Sequence, residues 1–128
     1  MNKRTALLWA SLITIFFASN MAIASEGLSQ AEAEKLIKGN TAEGLHTKCD
    51  TKMIWYFHES GQLRKQNQHG KRGKADWSID KKGQLCFIDK HMSDEKCEPI
   101  IPRADGGYDA NDGKWRWDKV VTGNPHNL

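Results

Sequence analysis

The chain has 128 residues, with 19 lysines and arginines against 16 acidic residues and a net charge of +3. A chain of this length forms one domain with a small core, which excludes a multidomain architecture. Because two of the basic residues lie within the first four positions, the rest of the chain is nearly neutral, and the overall charge gives no support for a nucleic-acid partner.

The first 24 residues have the layout of a secretory signal peptide. Lys3 and Arg4 precede an apolar run over residues 6–18, and Ala22-Ile23-Ala24 supplies a cleavage site of small residues. An uncleaved membrane anchor is the alternative, but the apolar run is shorter than the roughly 20 residues that span a bilayer. We therefore expect residues 1–24 to be removed, leaving a periplasmic or secreted domain over residues 25–128 without a membrane span.

A short helix is predicted directly after the leader. Ser29-Gln30-Ala31-Glu32 has the pattern of a capping box, in which the side chains of the first and last residues each accept from the other's backbone N–H. Gly39 stands where helices commonly end with a glycine in the left-handed conformation. These signals predict a helix over residues 30–38.

Beyond Gly39, short segments alternate with turn residues at a spacing of roughly 8–12, which is typical of all-β proteins. Glycines in the connectors, such as Gly61, Gly83 and Gly113, suit hairpin turns, and Lys71-Arg72-Gly73 precedes a further strand in the same way. The predicted strands cover residues 41–46, 52–59, 62–67, 74–80, 84–90, 97–101, 108–110 and 114–121.

Alternation within these segments places aromatic side chains on one face of the predicted sheet. Trp55 and Phe57 share a side of one strand, Trp77 lies on one side of another, and Trp115 and Trp117 share a side of the last. A short meander cannot leave such a face in water, and closing the sheet both buries it and removes the edges. The sequence therefore predicts a mainly β fold: a small antiparallel barrel, or a strongly curled sheet, with a helix over one end.

Three cysteines remain after export to an oxidising compartment, so a disulfide is expected and one thiol is left over. Cys86 and Cys97 lie on consecutive predicted strands, and hairpin pairing would bring their α-carbons within bonding range. A pairing through Cys49 is the alternative. If Cys49 is the odd cysteine, it is an unpaired residue of a polar connector, an intermolecular link that makes a dimer, or a reactive thiol.

The sequence offers no strong signal for a metal site or for catalysis. His46 and Cys49 have the spacing of two metal ligands, and Met53 follows, but no second pair completes a four-ligand set. The Gly-x-Ser-x-Gly and His-Glu-x-x-His motifs are absent. We therefore expect no catalytic residues, no metal and no cofactor.

Two patterns indicate binding. The basic run over residues 64–74 forms either a flexible hairpin loop or a grip for an anionic partner. The inward aromatic residues either fill the barrel or line an apolar cup for a small ligand, and eight short strands leave little room for a cup. The candidate ligand-binding residues are Trp55, Phe57, Trp77, Phe87, Trp115 and Trp117.

The chain resembles a group of small exported bacterial proteins of unknown function. The motifs that carry the resemblance are Gly39-Asn40-Thr41, Trp55-Tyr56-Phe57 with Gly61, Gly73 and Trp77 with Gly83, Leu85-Cys86 with Cys97, and Gly123-Asn124-Pro125. The resemblance covers nearly all of the mature chain. It implies a lipocalin-like β-barrel and a disulfide between Cys86 and Cys97, and it implies no activity.

These patterns together predict a non-enzymatic binding module, for a small apolar or amphipathic molecule or for a partner protein of the cell envelope. A periplasmic inhibitor of a lysozyme-like enzyme, acting through the loop over residues 69–74, is one alternative. A metal-binding or thiol-dependent protein that uses Cys49 and nearby histidines is another.

Overall fold

The computed structural model describes residues 27–128, so the predicted leader over residues 1–24 lies outside the described part of the chain. The described residues form one helix and nine strands of a single antiparallel sheet, which confirms the predicted mainly β fold. The elements are α1 (Gln30–Ile37), β1 (Asn40–His46), β2 (Thr51–Phe57), β3 (Gln62–Asn67), β4 (Arg72–Ile79), β5 (Gln84–Ile88), β6 (Lys96–Pro99), β7 (Ile101–Pro102), β8 (Tyr108–Ala110) and β9 (Trp115–Thr122).

The sheet is rolled into a nearly closed barrel. Its strand order is β6-β5-β4-β3-β2-β1-β9-β8-β7, so the two edge strands are β6 and β7. Ile100 alone separates these two edges along the chain. Because one residue spans only about 3.6 Å, the edges must lie next to each other. β6 and β7 are thus two halves of one bent strand, which explains nine strands where about eight were predicted.

The helix begins at the predicted capping box. The Glu32 N–H donates to Ser29 Oγ at 3.2 Å, and the Ser29 N–H donates to Glu32 Oε1 at 3.1 Å. The helix ends at Ile37, and Gly39 follows with a φ of +74°, the left-handed conformation predicted for it. Its N–H donates to the Phe57 carbonyl oxygen at 2.7 Å, which ties the helix to the end of β2.

The helix covers one end of the barrel. Its start lies against the β4–β5 turn, where a side chain on Gly83 would collide with the Leu28 carbonyl oxygen. Since the strands of a meander alternate in direction, the opposite end carries the β1–β2, β3–β4 and β8–β9 turns and the loop over residues 89–95. We call that opposite end the far end.

The core is built from the inward faces that alternation predicts. Trp55, Phe57 and Trp117 are fully buried, and Trp77 and Trp115 are nearly so. Trp77 is opposite Phe87 in the register between β4 and β5, so both project inward. The predicted aromatic face is therefore confirmed as the inner face of the barrel.

The β3–β4 hairpin differs in detail from its prediction. Gly70, with a φ of +79°, lies in the turn, whereas Gly73 lies inside β4. β4 consequently starts at Arg72 rather than at residue 74. The run over residues 64–74 is therefore mostly strand, with only a short turn between β3 and β4.

The disulfide joins Cys86 to Cys97, as predicted. The two residues face each other directly across β5 and β6, so the antiparallel register itself aligns the two sulfur atoms. Cys86 points away from the aromatic core, yet it is only 2% exposed.

Within residues 27–128, no helix has the length and apolar character that a membrane crossing requires.

Candidate functional site

The six aromatic residues predicted to bind a ligand lie together in the barrel interior. Each is at most 9% exposed. Their rings form an unbroken series with neighbouring centroids 4.7 to 6.3 Å apart, in the order Phe87, Trp115, Trp55, Trp117, Phe57 and Trp77. The rings therefore fill the interior, and their use in binding a ligand stays a prediction.

Two of the indoles hold buried donors without a hydrogen-bond acceptor among the described residues. Trp77 Nε1 donates to the His58 carbonyl oxygen at 2.9 Å, but Trp55 Nε1 and Trp117 Nε1 are unpaired. His46 Nδ1 and Asn111 Oδ1 are likewise buried and unpaired. An unpaired buried polar group costs about 1–3 kcal/mol, so a hydrogen-bond partner supplied from outside the fold would stabilise these groups.

Lysines gather at the far end, beside the aromatic core. Lys65 lies opposite Trp55 in the register, and Lys96 lies opposite Phe87, so both lie on the inner face. Lys114 approaches Lys96 from the β8–β9 turn. The close approach of the Lys96 side chain and its positive charge hold the pKa of Lys114 below its ordinary value.

His46 lies among these lysines at the end of β1. It faces Trp115 across the β1–β9 pairing, which places the imidazole on the inner face. Burial lowers the pKa of His46, and the charges of Lys65, Lys114 and Lys48 lower it further. The far end is thus a place where lysine side chains surround an imidazole whose pKa is lowered.

A cleft of about 1330 Å³ opens between β4 and the start of the loop over residues 89–95. Its lining includes six lysines and arginines and only two acidic residues, so it concentrates anions. The basic lining residues are Arg64, Lys65, Lys71, Arg72, Lys74 and Lys90. We call this recess the basic cleft. The basic run predicted from sequence lines it from two strands and the turn between them.

The basic cleft exists because the barrel wall is incomplete there. The ladder between β4 and β5 stops at the pair Asp76–Ile88. β4 continues four residues further, to Arg72, while still paired with β3 on its other side. Beyond Ile88 the chain leaves the sheet, so the first part of β4, from Arg72 to Ala75, borders the cleft as a free edge.

The free edge presents backbone groups to the cleft. The Trp77 N–H donates at 2.8 Å to the carbonyl oxygen of Gly61, the residue just before β3, which shows that odd-numbered positions of β4 bond toward β3. Antiparallel ladders alternate, so the N–H and C=O groups of Arg72 and Lys74 point the other way, into the cleft. No backbone hydrogen bond from the described loops reaches them.

The last residues of the chain form another wall of the basic cleft. Leu128 is only 7% exposed, and its carbonyl oxygen accepts from Arg64 Nη1 at 2.7 Å. Asn124 Oδ1 accepts from the Leu128 N–H at 3.0 Å. Thr41 Oγ1 donates to the Gly123 carbonyl oxygen at 2.7 Å. The segment over residues 123–128 is therefore fastened along the outer face of the barrel.

The candidates for metal or thiol chemistry do not gather into a site among the described residues. Cys49 is exposed in the β1–β2 turn and has no disulfide partner there. The one clustered set of ligand atoms found in residues 27–128 is Asp80 with Cys86 and Cys97. The two sulfurs of that set are bonded to each other, so they are not available as thiolate ligands.

Sequence reasoning missed Lys96 and Lys114 as members of a site. The available signal was the register: hairpin pairing of Cys86 with Cys97 puts Lys96 opposite Phe87, nine positions earlier in the chain, and a residue opposite Phe87 must share its face. Lys114 directly precedes Trp115 in the β8–β9 turn.

No protein-family model, curated protein or solved structure matches the chain.

Proposed function

We propose that the chain is a non-enzymatic binding module of the cell envelope whose basic cleft takes an extended acidic segment of a partner protein. The observation that carries the proposal is the free edge of β4 inside a cleft with a large excess of basic residues. The disulfide within the fold supports an oxidising location such as the periplasm.

The free edge favours an extended chain as the ligand. A strand laid along β4 would use the N–H and C=O groups of Arg72 and Lys74, as in β-strand addition. Its inward side chains would lie beside Gly73 and Ala75, which are small, and beside the flexible end of Lys65. Its outward side chains would lie beside Arg72 and Lys74, so acidic residues are favoured at alternate positions.

Of the two ligand classes expected from sequence, the partner protein receives more support than the small apolar molecule. The aromatic residues fill the interior, and none of the six lines the basic cleft. The surface that is open to a ligand is instead polar, positively charged and bordered by a strand edge.

A labelled eight-residue peptide of alternating threonine and glutamate tests the proposal by fluorescence anisotropy. We expect binding that weakens at higher salt and that falls at least roughly tenfold in the double variant Arg72→Glu, Lys74→Glu. The control is Lys81→Glu, Lys82→Glu, which makes the same charge change in the exposed turn at the helix end. It should change the affinity by no more than about twofold.

Amide hydrogen exchange separates strand addition from simple charge attraction. The peptide should protect the N–H groups of Arg72 and Lys74, because it supplies their missing acceptors. Absence of binding, or equal weakening by both charge-reversal pairs, would overturn the proposal. Binding without protection of these two amides would reject strand addition.

A further inference from the structure

The far end of the barrel interior carries a second group of charged residues, which shares Lys65 with the basic cleft but otherwise uses different residues. His46, Lys65 and Lys96 all lie on the inner face, opposite Trp115, Trp55 and Phe87 respectively. Lys114 lies in the β8–β9 turn at the same end, close enough for the charge of Lys96 to lower its pKa. Three strands and one turn therefore direct three lysines and one imidazole at the end of the aromatic core.

These charges are not neutralised by ion pairs within the described residues. The salt bridges of that part of the chain involve Arg103, Arg116, Lys119 and His126, and none involves the far-end lysines. Glu98 and Asp112 are the acidic groups that act on Lys114, and both raise its pKa less strongly than Lys96 lowers it. Net positive charge therefore remains at this end.

The buried polar atoms supply an independent observation that points to a ligand. Trp55 is fully buried with Nε1 unpaired, and it lies opposite Lys65 in the register. His46 Nδ1 is also buried and unpaired. Such groups are rare in native proteins because their desolvation is uncompensated. An indole N–H and an imidazole close to ammonium groups form a set of donors suited to an acceptor-rich, negatively charged group.

We propose that the far end binds a small oxyanion, a carboxylate or a tetrahedral group such as phosphate or sulfate, between His46, Lys96 and Lys114, with Lys65 and the Trp55 indole beneath it. The packed rings set the size, because they leave no space for an attached hydrocarbon chain in the interior. The anion relieves the mutual repulsion of the lysines.

Sulfate and acetate are the probes, since neither titrates between pH 6 and 8, and chloride at matched ionic strength is the reference. The six aromatic residues of the core include four indoles, so intrinsic tryptophan fluorescence should report binding. A bound anion should also raise the pKa of His46, measured by NMR titration, because it offsets burial and the charges of Lys65, Lys114 and Lys48. Affinity for sulfate should accordingly increase as the pH falls from about 8 to 6.

Paired variants assign the site. Lys96→Gln with Lys114→Gln should weaken binding at least roughly tenfold, whereas Lys81→Gln with Lys82→Gln should leave it within about twofold. A response to sulfate alone identifies a tetrahedral oxyanion, and a response to acetate alone identifies a carboxylate. The variant Arg72→Glu, Lys74→Glu should keep the anion response, so this proposal and the peptide proposal fail separately.

Two results would overturn the anion site. One is a pKa of His46 that is the same in chloride, sulfate and acetate. The other is equal loss of the fluorescence response in the Lys96, Lys114 pair and in the Lys81, Lys82 control pair. Thermal unfolding of each variant in chloride shows whether it is folded, and Lys114→Gln alone provides a second test if the double variant is not.

Discussion

At the scale of single residues, Gly44 shows how close backbone approach fixes a position in this barrel. It lies in the middle of β1, next to the point where the register with β9 shifts. A side chain there would collide with the backbone carbonyl of Arg116, which cannot move without breaking the β1–β9 ladder. Gly73 offers a contrast, because a Cβ there would meet only the flexible end of Lys65 at 3.4 Å.

We expect Gly44→Ala to lower the free energy of unfolding by at least about 2 kcal/mol, since the strand must shift to admit the methyl group. Gly73→Ala should change it by about 1 kcal/mol or less, because the Lys65 side chain can move aside. Urea denaturation of the two variants measures both values. Equal destabilisation would show that the approach of β1 to β9 is not the cause.

At the scale of elements, we expect the disulfide to contribute much of the stability of the β5–β6 hairpin. β6 has only four residues, and the chain bends away after Ile100 to form β7, so the ladder of β6 with β5 is short. The connecting loop over residues 89–95 has no strand of its own. Met92 in this loop packs against the core, which helps to hold the loop over the far end.

Replacing both Cys86 and Cys97 by alanine should lower the free energy of unfolding by about 2–3 kcal/mol, because the unfolded chain regains the freedom of a loop of roughly 12 residues. Cys49→Ser is the control, since Cys49 is exposed and lies outside the hairpin. Urea denaturation without reductant checks both. Wild-type stability in the double variant would mean that β6 is held by its packing alone.

At the scale of the whole molecule, closure depends on the bend at Ile100. This residue joins the two edges of the sheet, and it is fully buried. Its carbonyl oxygen accepts from the Leu28 N–H at 2.9 Å, so the segment before the helix is fastened at the same place. Ile100 thus links both edge strands through the chain, and its backbone links them to the segment that leads into the helix.

Ile100→Ala should lower the free energy of unfolding by about 2–4 kcal/mol, because it leaves a cavity where both edges and the helix segment meet. Ile101→Ala, one position along and only half-buried, should cost about 1 kcal/mol or less. Urea denaturation measures the two values. If Ile101→Ala proves more destabilising than Ile100→Ala, then closure depends on β7 rather than on packing at the bend.

Much of the fold was predictable because its signals are local. The capping box at Ser29 and the glycine at position 39 bounded the helix to within one residue. Alternation identified the inner face, and the strands Gln62–Asn67 and Tyr108–Ala110 have the bounds that were predicted. The pairing of Cys86 with Cys97 followed from adjacent strands, although the sequence left Cys49 open as a partner.

The sites were less predictable because they depend on which strands stop pairing. The basic run over residues 64–74 was recognised, but the free edge at Lys74 results from the departure of the chain after Ile88, which no local pattern marks. Lys96 and Lys114 are far apart in sequence and meet only when the barrel closes. Without knowledge that the two residues are neighbours, their positive charges predict no site.

The sequence by itself determined the helix, the strands, the inward aromatic faces and the turn glycines, because each of these depends on side chains within a few positions of one another. The tertiary structure alone decided that the rings fill the interior, that one strand bends at Ile100 and that a gap opens beside β4. These features depend on volume and on backbone pairing between distant segments, and composition and periodicity carry neither quantity.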